Sequence, residues 1–128
     1  MKTINKTISL ILISIALFSC NKDKSAPTIS IVQPAAHTNF STGETIHIEA
    51  TFEDDKELAS YSIFMGDENG NHASDFHYMK SSSISGKSFE FHEHTMVPDS
   101  IGMIYYLHFQ VTDTEGKTTS ESVMLHFM

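Results

Sequence analysis

The chain has 128 residues, of which sixteen are acidic, eight are lysine and eight are histidine; it has no arginine and one cysteine. Beyond position 19, six lysines face all sixteen acids, a formal charge of −10 on 109 residues. Such a chain excludes nucleic acid and anionic lipid headgroups as partners, since Lys and Arg do most of the gripping there. Cations suit it better.

In chain order, the first element is an export signal over residues 1–19. Lys2 and Lys6 form a basic start, Ile8 to Phe18 is an apolar run broken only by Ser9 and Ser14, and Ser19 is a small residue before Cys20. This run is too short to span a bilayer and has the three-part layout of a secretory signal. Leu17-Phe18-Ser19-Cys20 has the form of a lipobox, which predicts a lipidated Cys20 as the first residue of the mature chain. Several acyl chains on that residue would give stable anchoring to a membrane. Residues 20–25 are then a polar tether. With Cys20 lipidated no disulfide can form, so burial alone must hold the fold over residues 26–128, a single domain's length.

Thr28 to Gln33 lies between Pro27 and Pro34 and predicts an edge strand. From Glu44 to Phe52, Ile46, Ile48, Ala50 and Phe52 alternate with Thr45, His47, Glu49 and Thr51, the period of a strand with one buried face. A third strand carries Leu58, Tyr61, Ile63 and Met65, and turns at Gly66 to Gly70. Ser74 to Lys80 reads as either a short strand or a loop, and Ser81, Ser82, Ser83 and Ser85 as loop. Ser88 to His94 alternates again, with Phe89 and Phe91 inward. Tyr105, Leu107, Phe109 and Val111 form the strongest strand, closed by a turn at Asp113 to Lys117. Val123, Leu125 and Phe127 mark the last strand. About seven short strands without a helical period predict an all-β, immunoglobulin-like (Ig-like) β-sandwich, with Tyr105 where a tyrosine corner would fall.

Gly43-Glu44-Thr45-Ile46-His47-Ile48 with Phe52-Glu53-Asp54-Asp55, Leu58-Ala59-Ser60-Tyr61 and the run from Tyr105 to Gly116 resemble bacterial Ig-like domains. More narrowly, they are similar to an uncharacterised, histidine-rich family of Bacteroidetes lipoproteins. The resemblance covers most of residues 26–128 and implies the fold and an envelope location, but no activity. Members of that family often carry a histidine on the penultimate strand, where this chain has Tyr106 and His108. Lys22-Asp23 after the cysteine resembles a surface-export tag of such lipoproteins. Outer-membrane placement follows as the expectation, with the leaflet open.

Three sets of side chains are candidates for binding. In an Ig sandwich the second and fifth strands (B and E) are neighbours, so His47 and Glu49 would face Glu90, His92 and His94. Imidazole with carboxylate suits zinc or another divalent metal; the alternative use is as weak cross-strand pairs. His72, Asp75 and His77 could complete a metal site or be solvated loop residues. Asp54, Asp55, Asp113 and Glu115, with Glu53, fall at one end of the sandwich and could hold calcium; the alternative is that these aspartates cap their own turns. His37, His108 and His126 read as isolated surface residues, and the methionines as core filling.

No nucleophile elbow, metalloprotease helix or phosphate loop occurs, so the chain is read as a non-enzyme. Two binding functions stay open: metal binding at the envelope, or an adhesion or accessory module for an envelope protein or glycan. Exposed Phe76 and Tyr78 would favour the second.

Overall fold

The computed structural model describes residues 25–128; the expected export signal, Cys20 and residues 20–24 of the expected tether lie outside the described residues. Eight strands follow in order: β1 (Thr28–Gln33), β2 (Asn39–Phe40), β3 (Thr45–Glu53), β4 (Leu58–Gly66), β5 (Met79–Ser83), β6 (Ser88–Met96), β7 (Ile104–Asp113) and β8 (Thr118–Phe127). They form two sheets, β1-β3-β6 and β2-β8-β7-β4-β5. Pairing is antiparallel except between β2 and β8, which run parallel. This is the Ig arrangement, with β3 and β6 adjacent as B and E.

Alternation sets the inner faces. Ile46, Ile48, Ala50 and Phe52 of β3 are fully buried against Leu107, Phe109, Val111 and Leu125 of the other sheet. Burying such side chains contributes about 1.5–3 kcal/mol each, enough in sum to hold a domain without a disulfide. On β4, Leu58 and Tyr61 both turn inward although three apart, because the register with β7 slips between Leu58 and Ser60. An extra residue at such a bulge restores the inward phase. Tyr61 then stacks within the ring cluster of Phe52, Phe89 and Phe91 at centroid distances of 5.3 to 5.7 Å.

Eight strands agree with the expected count of about seven, the addition being the two-residue β2, since the first strand divides between the sheets as β1 and β2. Two expectations are corrected. Ser81, Ser82 and Ser83 lie on β5, paired with Ser62, Tyr61 and Ser60 of β4, and not in a loop. As an edge strand exposed along its whole length, β5 is held through backbone pairing and has no apolar period to announce it. Met79, Met96, Met103 and Met128 are exposed, while Met65 alone among the described methionines is in the buried core.

Tyr105, early in β7, accepts the Gly102 N–H three residues upstream at 2.7 Å, the geometry of a tyrosine corner. A β-carbon at position 102 would meet the Tyr105 hydroxyl at 3.1 Å, so glycine leaves room for this approach.

Candidate functional site

The outer face of the three-stranded sheet carries the first set. His47 pairs directly with His94, Glu49 with His92, and Thr51 with Glu90. The His47 and His94 rings are 6.2 Å apart and tilted by 49°. Gln33 of β1 donates to Glu49 at 3.4 Å, adding a third strand to the row. All these side chains are exposed except Glu49 and Thr51, which are half-buried. They form a ladder two rungs deep, His–His above Glu–His, with exposed Met96 opposite Thr45 at its end. As the rotamers stand, no three His, Asp or Glu side chains among the described residues are gathered closely enough to hold a metal ion.

The second set is dispersed. The His72 ring stacks on Phe64 at 4.2 Å, and the Asp75 carboxylate accepts the Tyr105 hydroxyl at 2.7 Å. That hydrogen bond holds Asp75 below the usual carboxylate range. His77 is exposed beyond them. Phe76 and Tyr78, on which a docking surface would rest, face the core at 2% and 6% exposure.

The acidic end divides by burial. Asp54 accepts the N–H groups of Lys56 and Glu57, and Asp113 those of Glu115 and Lys117, so each caps its own turn. Their second oxygens, Asp54 Oδ1 and Asp113 Oδ2, are buried without a hydrogen-bond partner. Glu53, Asp55 and Glu115 are exposed, and Ser25 donates to Asp55 at 3.2 Å.

The three histidines expected to be isolated all have partners, which corrects that expectation. His108 Nε2 lies 2.6 Å from the Asp67 carbonyl, and its ring stacks on the face of Phe64 at 4.9 Å. His37 Nδ1 lies 3.2 Å from His126 Nε2 across 89 residues of sequence. The pairing of a split first strand with the last strand brings them together, because Asn39 of β2 sits opposite His126 of β8. Outward phase on the last strand was readable for His126; the position of His37 in the crossing between sheets was not.

These features define a small Ig-type β-sandwich whose two outer faces are lined with histidines. The chain belongs to the family described as a domain of unknown function (DUF4625), which matches residues 18–128. No match was found among the curated proteins. Solved structures similar to it include the sporulation control protein of Bacillus subtilis, at 10% identity and a TM-score of 0.46, over 80% of this chain and 49% of that one. The reeler domain of human F-spondin is similar at 8% identity and a TM-score of 0.42, over 81% of this chain and 82% of that one. The chain spans about half the length of the sporulation control protein.

Proposed function

We propose that this chain is a lipid-anchored envelope protein of the histidine-containing Bacteroidetes lipoprotein kind, whose domain binds a divalent transition metal, zinc foremost. Its site is the ladder of His47, Glu49, His92 and His94, with Glu90 one rung away. The observation that supports this reading is the register of β3 against β6, in which His47 faces His94 and Glu49 faces His92. Directly opposed side chains on antiparallel strands have Cβ atoms about 4.5–5.5 Å apart. Two imidazoles and a carboxylate at that spacing reach one ion after rotamer changes in solvent, each costing no more than about 1 kcal/mol. Zinc takes such nitrogen and oxygen ligands at about 2.0–2.2 Å and keeps an open position when the protein supplies three. The strongly acidic surface raises the local concentration of cations. A ladder built by rotamer change suits capture and release, which is the behaviour of a metal-handling protein and not of a structural zinc site.

The test is calorimetric titration of zinc into the full chain carrying Cys20→Ser, in detergent, beside the His47→Ala/His94→Ala variant. Micromolar or tighter binding that the variant loses is the expected result. Absence of binding, or binding that survives both substitutions, overturns the reading.

A further inference from the structure

The His37–His126 pair lies on the other sheet, away from the ladder. Its two facing nitrogens, Nδ1 and Nε2, are 3.2 Å apart, while the ring centroids are 5.5 Å apart. The rings therefore meet nitrogen to nitrogen at their edges and do not overlap face to face. Two nitrogens bound at about 2.0–2.1 Å to one ion stand about 2.9 Å apart at a right angle and about 3.5 Å apart at a trigonal one. The observed separation falls inside that range, so the pair has the bite of a two-imidazole chelate; the nitrogens now face each other along an N–H···N line, and a modest turn of each ring would aim both at one ion.

The backbone fixes this bite. His37 adopts a left-handed conformation at φ 64°, uncommon for a residue with a β-carbon. Its N–H is bonded to the Met124 carbonyl at 2.8 Å, and Thr38 bonds back to the Ala35 carbonyl through both its N–H and its hydroxyl. An observed outlier of this kind is a reason to look for a function.

The neighbours decide which ion fits. The residues opposite His126 on either side are Asn39 and Ile104, which bring no carboxylate. Met124 precedes His126 by two residues and Met128 follows it by two, so strand alternation puts both on the outward side of the β8 run with His126. Met128 is 79% exposed. Thioether sulfur selects cuprous ion, whereas zinc and harder ions prefer thiolate, imidazole and carboxylate. An uncharged set of two imidazoles and a thioether suits a soft monovalent ion.

We propose that His37 Nδ1, His126 Nε2 and a thioether from the flanking Met124 and Met128 form a cuprous-ion site, separate from the sheet ladder. No electron transfer is involved: the ion enters and leaves as copper(I), and the proton between the two facing nitrogens passes through solvent to the far nitrogen of the ring that carried it, so both imidazoles stay neutral.

The test uses the full chain with Cys20→Ser and His47→Gln/His92→Gln/His94→Gln, so that neither the thiol nor the ladder competes. Copper(I) is titrated anaerobically against a chromophoric chelator, with circular dichroism confirming that each variant keeps its fold. The background protein should retain one copper(I). Even outer-shell partners of a metal are worth roughly 10–100-fold in affinity, so His37→Gln or His126→Gln should each weaken binding by more than about a hundredfold. Met124→Leu/Met128→Leu should weaken copper(I) by about tenfold or more, on the same scale, and, placed in the protein that keeps the ladder histidines, should leave zinc affinity unchanged. A background protein that binds no copper(I), or binding indifferent to His126→Gln, overturns the site and leaves the pair as a hydrogen bond between side chains. Copper(I) binding indifferent to the methionine variant overturns the thioether assignment. Loss of zinc binding at the ladder would bear on the proposed function alone, because this titration is made without those histidines.

Discussion

The Tyr105 hydroxyl donates to the Asp75 carboxylate at 2.7 Å, tying the start of β7 to the segment between β4 and β5 thirty residues away. The same oxygen accepts the Gly102 N–H, so one buried side chain joins three parts of the chain. Tyr105→Phe removes both bonds while keeping the ring in place. Net contributions of about 0.5–1.5 kcal/mol per hydrogen bond predict a loss of about 1–2 kcal/mol, since the exposed position of Asp75 limits the gain from its charge. The pH dependence has a definite sign. Hydrogen bonding from Tyr105 lowers Asp75 below its ordinary 3.8. A carboxylate lowered on folding stabilises fully above its unfolded value and loses that contribution as pH falls through the folded one. Urea unfolding should therefore show the gap between the two proteins at neutral pH narrowing below about pH 4.

Tyr78 is the counterpart that lacks a partner. It is as buried as Tyr105, yet its hydroxyl has no hydrogen bond. Burial first, then the Glu93 charge, pushes its phenol well above the ordinary range. A buried unsatisfied group costs about 1–3 kcal/mol, so Tyr78→Phe should leave stability unchanged or raise it by about 1 kcal/mol, opposite in direction to Tyr105→Phe. Because the folded value is raised, the contribution of the neutral phenol is present below the unfolded value and lost as pH rises above about 10. The advantage of the Phe variant should widen there, as thermal melts at pH 8 and above pH 10 would reveal. A melting temperature lowered by several degrees at pH 8 would sink the argument.

Asp113 holds the β7–β8 turn from inside. Its Oδ1 accepts two N–H groups, and its backbone closes the same turn with Lys117 and Gly116, the last at φ 83°. Asp113→Ala strands those donors and should cost about 1–3 kcal/mol, or several degrees or more in melting temperature for a domain of this size. Asp113→Asn keeps an acceptor for the turn and removes a buried charge whose other oxygen is unpartnered, and should cost under about 1 kcal/mol. Equal losses in the two variants would mean that the charge itself matters, as it would for a bound cation.

How much of this was readable beforehand depends on the kind of signal. Strands with one apolar face were legible because burial imposes a period of two: Ile46 to Phe52, Tyr105 to Val111 and Val123 to Phe127 all fall on the inner faces. That His47 and Glu49 would face the β6 histidines followed from that phase together with the adjacency of strands B and E; the register that sets His47 opposite His94 and Glu49 opposite His92 did not. β5 was not legible, since Met79-Lys80-Ser81-Ser82-Ser83 pairs through its backbone at an edge and buries nothing. Phe76 and Tyr78 stand in a segment without period, so nothing local distinguished a plug in the core from a docking surface. The His37–His126 contact depends on the chain crossing between sheets, which no local pattern encodes. Nor does periodicity report a bulge such as that at Leu58, except as a break in phase.

The core role of that segment leads to the last prediction. Phe76 meets Tyr105 and Phe127 edge to face at 5.8 and 5.7 Å, and Tyr105 meets Phe127 at 5.4 Å, a closed triangle of rings. Such pairs contribute about 0.5–1.5 kcal/mol beyond the area they bury. Phe76→Ala opens a cavity beside two aromatic rings and removes the anchor of the whole β4–β5 connection, which should cost about 3–5 kcal/mol. Against a total of about 5–15 kcal/mol, that is a large share of the native stability. Phe64→Ala makes the useful comparison: it removes the same side chain from the half-buried outer face, where only the His72 and His108 rings stack on it. Its cost should stay below about 1.5 kcal/mol, the range of an aromatic pair. Denaturant unfolding of both variants separates the two positions. Comparable losses would show that the β4–β5 connection packs more loosely than its ring contacts imply.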